Sequence, residues 1–145
     1  MAGACQAQSA PADEVAFPEG LYGNVDVSEA TGDLGGFEVR FFRDSGKPMA
    51  EFVLCEGWCN QAYLAEVTRE GDAFRMNHVE QGSSEDSAGE TRTEDHRVTY
   101  TIVRSGDKLV YQMTFDGAPV ERDADTATLL PLEEPFGLSV AKAKG

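Results

Sequence analysis

Cys55 and Cys59 enclose only Glu56-Gly57-Trp58. They are the residues of this chain whose type and spacing most directly suggest chemistry. Two thiols this close join in an oxidising compartment. Closing so short a loop contributes only about 2 kcal/mol of chain entropy, so the bond would shape the loop more than hold the domain. Redox-active dithiols usually have two intervening residues at a helix start that lowers the thiol pKa, and neither condition is met here. A zinc site built from Cys55, Cys59 and His78 lacks a fourth ligand at a telling spacing. The expectation is a structural disulfide, with no metal. Trp58, the single tryptophan, then stands on a stapled loop, where it caps the end of the fold or meets a partner.

A second group is Tyr63, Met76, His78, Tyr100, Tyr111 and Met113. Each falls on the apolar beat of an alternating run, so all six share one interior face. Buried tyrosine hydroxyls need hydrogen-bond partners. Together with methionines they make an adaptable lining for a small-molecule pocket. The same residues can equally fill a small barrel completely. Acidic groups are abundant but scattered: Glu85, Asp86, Glu90, Glu94 and Asp95 in one polar segment, Asp116, Asp123 and Asp125 near the last turns. None follows the spacing of a calcium-binding EF-hand loop. The sequence holds no GxSxG, P-loop, HExxH or dinucleotide fingerprint, and two histidines leave little scope for general-base chemistry. No catalytic residue and no cofactor is assigned, and a non-enzymatic role is expected.

The elements that must position these groups read as strands. Phe37, Val39 and Phe41 alternate with Glu38 and Arg40; Ala50, Phe52 and Leu54 follow after the turn Asp44-Ser45-Gly46-Lys47. Leu21, Val25 and Val27 alternate with Tyr22, Asn24 and Asp26 before them. The beat returns at Tyr63, Ala65 and Val67, at Phe74, Met76 and His78, at Val98, Tyr100 and Ile102, and at Leu109, Tyr111, Met113 and Phe115. Thr126 to Leu132 supplies a last short strand. No stretch of ten residues has a helical period, and turn signals recur about every ten residues, the pattern of an antiparallel meander. Closure both buries one face and removes the edges. The expected fold is all-β, a single antiparallel up-and-down barrel of about eight strands, with a two-sheet β-sandwich as the alternative. Residues 1–16 read as a flexible tether, 17–138 as the barrel domain, 81–95 as a mobile loop within it, and 139–145 as a tail that can form a frayed helical turn.

The chain of 145 residues carries a net charge of −14 with 41% hydrophobic residues. That is enough apolar content for one core, on a surface that repels nucleic-acid phosphates and anionic lipid heads. It attracts basic proteins.

Ala2-Gly3-Ala4-Cys5 resembles the end of a bacterial lipobox, and the Ala-, Gln-, Ser- and Pro-rich stretch from Gln6 to Glu14 resembles the tether that follows one. The resemblance implies a removed signal peptide, lipid attachment at Cys5 and a place on the periplasmic face of the envelope. Gln6 rather than aspartate after the cysteine implies the outer membrane. Gly20-Leu21-Tyr22 resembles the opening of the calycin superfamily (lipocalins, fatty-acid-binding proteins, avidins), with tyrosine where that family carries tryptophan. This implies a lipocalin-like barrel with a ligand cavity at one end. Two functions follow as expectations: an envelope lipoprotein whose barrel binds a small apolar or amphipathic molecule, or an acidic module that engages a basic protein, for example a cationic envelope hydrolase.

Overall fold

The computed structural model describes residues 16–121 and 124–144. The alternating runs become strands: β1 (Gly20–Gly23), β2 (Asp26–Val27), β3 (Leu34–Asp44), β4 (Lys47–Gly57), β5 (Tyr63–Glu66), β6 (Thr68–Glu70), β7 (Ala73–Glu85), β8 (Thr91–Ser105), β9 (Lys108–Phe115), β10 (Ala118–Val120) and β11 (Thr128–Pro131). Two short helices join them, α1 (Ala124–Ala127) and α2 (Gly137–Lys144). At the β3–β4 hairpin Ser45 and Gly46 take φ of +53° and +84°. Two successive positive φ values make the tight turn that matches strand twist.

Pairing is antiparallel throughout, in the order β5-β4-β3-β1-β11-β9-β8-β7-β6, with β2 on β3 and β10 on β9. The last strand, β11, slots between β1 and β9 and so joins the two halves of the chain. The outer strands β5 and β6 are neighbours in sequence, divided only by Val67. That residue is buried, and its N–H donates to the Pro48 carbonyl at 2.9 Å. The result is the expected all-β antiparallel barrel, nearly closed, rather than two sheets. Counting β5 and β6 as one bent strand gives eight staves.

Phe37, Phe41, Phe52, Met76, Tyr100, Ile102, Leu109, Tyr111 and Leu129 fill the interior. The Phe37 ring lies between Tyr100 and Tyr111, stacked at 4.9 and 4.7 Å. A second, smaller core lies outside the barrel, where α2 covers the outward row of β3 and β4. There Leu138 and Ala141 meet Leu34, Val53, Cys55 and Cys59.

Three expectations are corrected. The segment 81–95 is mostly strand: β7 and β8 run on as a two-stranded ribbon, paired from Gln81↔Asp95 to Glu85↔Thr91. It has no apolar beat because nearly all of it lies exposed to solvent, leaving no inward face to mark. The segment 139–145 is helical as its sequence allows, but it is not a frayed tail: most of it belongs to α2 and seals the outer core. In β1 the phase is reversed: Tyr22 points into the barrel, and Leu21 and Val25 pack with the outer cluster. Both faces of β1 meet apolar groups, so its apolar beat does not identify the interior side.

Candidate functional site

The barrel has two unlike ends. At the β3–β4 turn the Phe17 ring packs edge-on against Phe41 and Phe74 at 5.6 and 5.9 Å. The guanidinium groups of Arg43 and Arg69 lie over Phe17 and Phe74 at 5.0 and 4.6 Å. Cations held over aromatic faces are attracted by the ring quadrupole, so this end is plugged, with a hollow of only about 130 Å³ beside Phe17.

The opposite end is open. Its rim is built where inward rows of the wall run on past their last large apolar residue. On β4, Phe52 and Leu54 continue to Glu56; on β7, Met76 and His78 continue to Glu80. Two adjoining hollows of about 230 and 240 Å³ share Leu54, Glu56 and Glu80. The first is completed by Asn60, Gln61, Tyr63 and His78. The second is completed by Val98, Met113, Phe115 and Val120.

His78 is the best-defined group of this mouth. The residue is 8% exposed, its ring stacked on Tyr63 at 3.8 Å and lying over Tyr100 at 5.7 Å. Its Nε2 lies 3.1 Å from Glu80 Oε1. A carboxylate only accepts, so Nε2 carries a proton, and in the neutral imidazole Nδ1 is left as an acceptor. Nδ1 has no hydrogen-bond partner in the protein, nor does the buried Tyr100 hydroxyl. Burial, seconded by the Glu80 charge, raises the pKa values of Tyr63 and Tyr100 above the ordinary phenol value. Both hydroxyls therefore stay protonated and neutral. The mouth thus offers an apolar wall and two carboxylates beside a buried imidazole. Among the described residues it presents no nucleophile set against a base.

The six residues expected to line a pocket all face the interior, but they separate into two groups. Tyr63, His78 and Met113 reach the mouth, whereas Met76, Tyr100 and Tyr111 belong to the packed core. Sequence reasoning missed Glu56 and Glu80, although each stands two residues beyond an inward-facing neighbour and the alternation extends to it. Cys55 and Cys59 form the expected disulfide, and joined to each other they are unavailable to a metal. The bond sits under α2, not across the barrel mouth. Trp58 is 46% exposed and does not plug the barrel; that plugging role belongs to Phe17. Cys5 lies outside the described residues, as does Asp123. A second pair also went unread, His96 on β8 and Asp116 after β9, with Nδ1 2.7 Å from Oδ2.

No protein-family model, curated protein or solved structure matches this chain. What the mouth does has to be read from its own atoms.

Proposed function

We propose that the barrel is a binding protein, not an enzyme, and that a small amphipathic molecule seats at its open mouth. The observation that carries this is the pair of hollows joined at Leu54, Glu56 and Glu80. One is walled by Val98, Met113, Phe115 and Val120 and suits a hydrocarbon portion; the other, with Asn60, Gln61 and His78, suits a polar head. Apolar burial supplies affinity and a few placed polar groups supply orientation, the usual division of labour in such sites. Each hollow is smaller than the roughly 300–1,000 Å³ of drug-sized pockets. A short chain or a single ring is the fitting ligand. A binding site at one barrel end is also what the likeness of Gly20-Leu21-Tyr22 to the calycin opening implies. The test is titration of isotopically labelled protein with 1-hexanol, hexylamine and hexanoate. Amide shifts at Leu54, Val98 and Met113 are expected with at least one probe, and no shifts with any of them overturn the reading.

The setting that fits is the periplasmic side of a bacterial outer membrane, with lipid on Cys5. The disulfide supports an oxidising compartment, where such bonds persist. Labelled palmitate entering the protein, and failing to enter Cys5→Ser, tests the anchor.

A second reading has its own support. Trp58 is exposed at the same end as the β7–β8 ribbon, which carries Glu85, Asp86, Glu90, Glu94 and Asp95 in exposed positions. Such a surface suits a basic protein. Salt-sensitive binding to lysozyme, weakened by Trp58→Ala, supports it; no binding at low salt removes that example.

A further inference from the structure

We infer that the outer edge of β7, from Val79 to Glu85, takes an extended segment of a basic protein as an added strand. This rests on the second reading above, a basic protein partner, and goes on to say how that partner is held.

The backbone register leaves this edge unpaired. The Asp86 N–H donates to the Glu90 carbonyl at 2.9 Å, and the pairing of β7 with β8 continues from there without a bulge. In an antiparallel ladder every second residue bonds the same neighbour. Gly82 and Ser84 therefore bond β8, while Val79, Gln81, Ser83 and Glu85 turn their N–H and C=O groups to the other side. On that side β6 pairs only from Ala73 to Arg75, and among the described residues no strand pairs with β7 beyond it. The β8 edge of the ribbon is less open, because Asp116 already exchanges hydrogen bonds with the Arg97 backbone.

Natural proteins guard such edges with lysine, proline or a bulge. Val79-Glu80-Gln81-Gly82-Ser83-Ser84-Glu85 has none of these. Its guard is negative charge, with six carboxylates against two arginines between Val79 and Arg97. That charge repels a second copy of a chain whose net charge is −14, and it attracts a strand that carries lysine or arginine. At the base of the edge, Val79 and Leu64 of β5 are 48% and 64% exposed. Their two strands meet on the inner side, where the His78 and Tyr63 rings stack at 3.8 Å. Both apolar groups thus flank the start of the unpaired edge. Main-chain bonds supply affinity in strand addition, and alternate side chains supply selection. The fitting occupant alternates apolar and basic residues.

The test adds a Lys-Val-alternating heptapeptide, or its Glu-Val counterpart, to the full chain at low salt and follows amide exchange. The lysine peptide is expected to bind at least about tenfold tighter, since several exposed charge pairs act together. It should slow exchange at Gln81, Ser83 and Glu85 and barely change Gly82 and Ser84, which β8 already holds. Ser83→Pro removes an outward N–H, at an edge position where proline is tolerated, without changing charge. It should weaken the lysine peptide about tenfold. Thr93→Pro makes the same change on the β8 edge and should leave binding intact. Lysine-peptide binding without the alternating protection, or equal loss in both proline variants, overturns strand addition while the basic-partner reading survives. Equal binding of the Glu-Val peptide overturns the charge class. Protection of these amides that grows with protein concentration alone places a second copy on the edge and also overturns the inference. Lysozyme binding without lysine-peptide binding overturns strand addition only, and failure of both to bind overturns both readings.

Discussion

Glu38, on the outward face of β3, accepts the backbone N–H of Gly137 at 2.9 Å across 99 residues of sequence. The same carboxylate accepts from Phe136 at 3.0 Å and Leu138 at 3.0 Å, and its residue is 0% exposed. The Phe136 carbonyl takes the first intrahelical bond, from Val140, so Phe136 is the N-cap of α2. A phenylalanine side chain cannot satisfy the free amides of a helix start. A carboxylate from a neighbouring strand does so instead, and its charge meets the positive end of the helix dipole.

Removing that carboxylate should therefore free α2. Glu38→Ala leaves buried amides without acceptors and is expected to cost about 3 kcal/mol. Glu38→Gln keeps one acceptor oxygen and should cost about half as much. Denaturant melts give the totals, and amide exchange should show the α2 amides opening first. Equal exchange in α2 and in the barrel strands would mean that Glu38 holds something other than this helix.

The disulfide shares that roof. Cys55 continues the outward row of β4 after Val53, and both cysteines are buried beneath Leu138 and Ala141. Cysteine-to-alanine replacement at both positions is expected to cost about 2 kcal/mol, the chain-entropy value for so short a loop. The loss should read out as a lower melting temperature and faster exchange in α2, with the barrel interior unaffected. A reduced protein that melts at the same temperature as the oxidised one would contradict this.

Of these outer features the disulfide was legible in the sequence, whereas the Glu38 anchor of the helix was not. The barrel wall was legible because rows such as Phe74-Met76-His78 and Val98-Tyr100-Ile102 face a core on one side only, and so alternate. Alternation misplaces Tyr22 because β1 meets apolar groups on both sides. Residues 81–95 read as a loop because a ribbon beyond the barrel rim has no interior side. Helix α2 has eight residues, too few to signal by propensity alone. Its anchor, Glu38, is a charged residue whose partners are backbone amides far along the chain, a relationship that no local pattern encodes. At the mouth, Tyr63, His78 and Met113 were found by their beat. Glu56 and Glu80 continue the same beat as charged residues, which an apolar pattern does not mark.

Gly36 offers a sharper test of how β1 is locked to the wall. It sits at φ +127°, and a Cβ there would lie 2.7 Å from both the backbone and side-chain oxygens of Asn24. Asn24 is the latch of this region: its Nδ2 donates to the carbonyls of Thr126 and Thr128, and its Oδ1 accepts the Phe37 N–H at 2.8 Å. Gly36→Ala combines a forbidden φ with a clash against that latch, and about 3 kcal/mol of lost stability is expected. Gly46→Ala is the control, since its φ is also positive but no atom lies within 4 Å of the added carbon. It should cost about 1 kcal/mol. Equal costs at the two sites would show that backbone strain alone matters and that the Asn24 latch contributes nothing.

The base of the ribbon should respond to pH through His96 and Asp116. The imidazole is stacked on Phe115 at 4.9 Å, and Phe115 lines the second hollow of the mouth. Asp116 binds the ring and also accepts the Arg97 N–H at 2.9 Å. The hydrogen bond between them raises the His96 pKa and lowers that of Asp116, with Glu94 and Glu80 adding to the first shift. The signs differ in consequence. A raised histidine contributes stability that is fully present below its unfolded value of about 6.5 and is lost as pH rises through the folded value. A lowered aspartate contributes stability present above its unfolded value of about 3.9 and lost as pH falls through the folded one. The pair therefore holds the ribbon base most firmly between about pH 4 and 6.5. Imidazole resonances followed by NMR should place His96 above the ordinary histidine value, and Asp116→Asn should bring it back down. If that variant leaves the His96 titration where it was, the pair is not coupled and the ribbon base has no pH response of this origin.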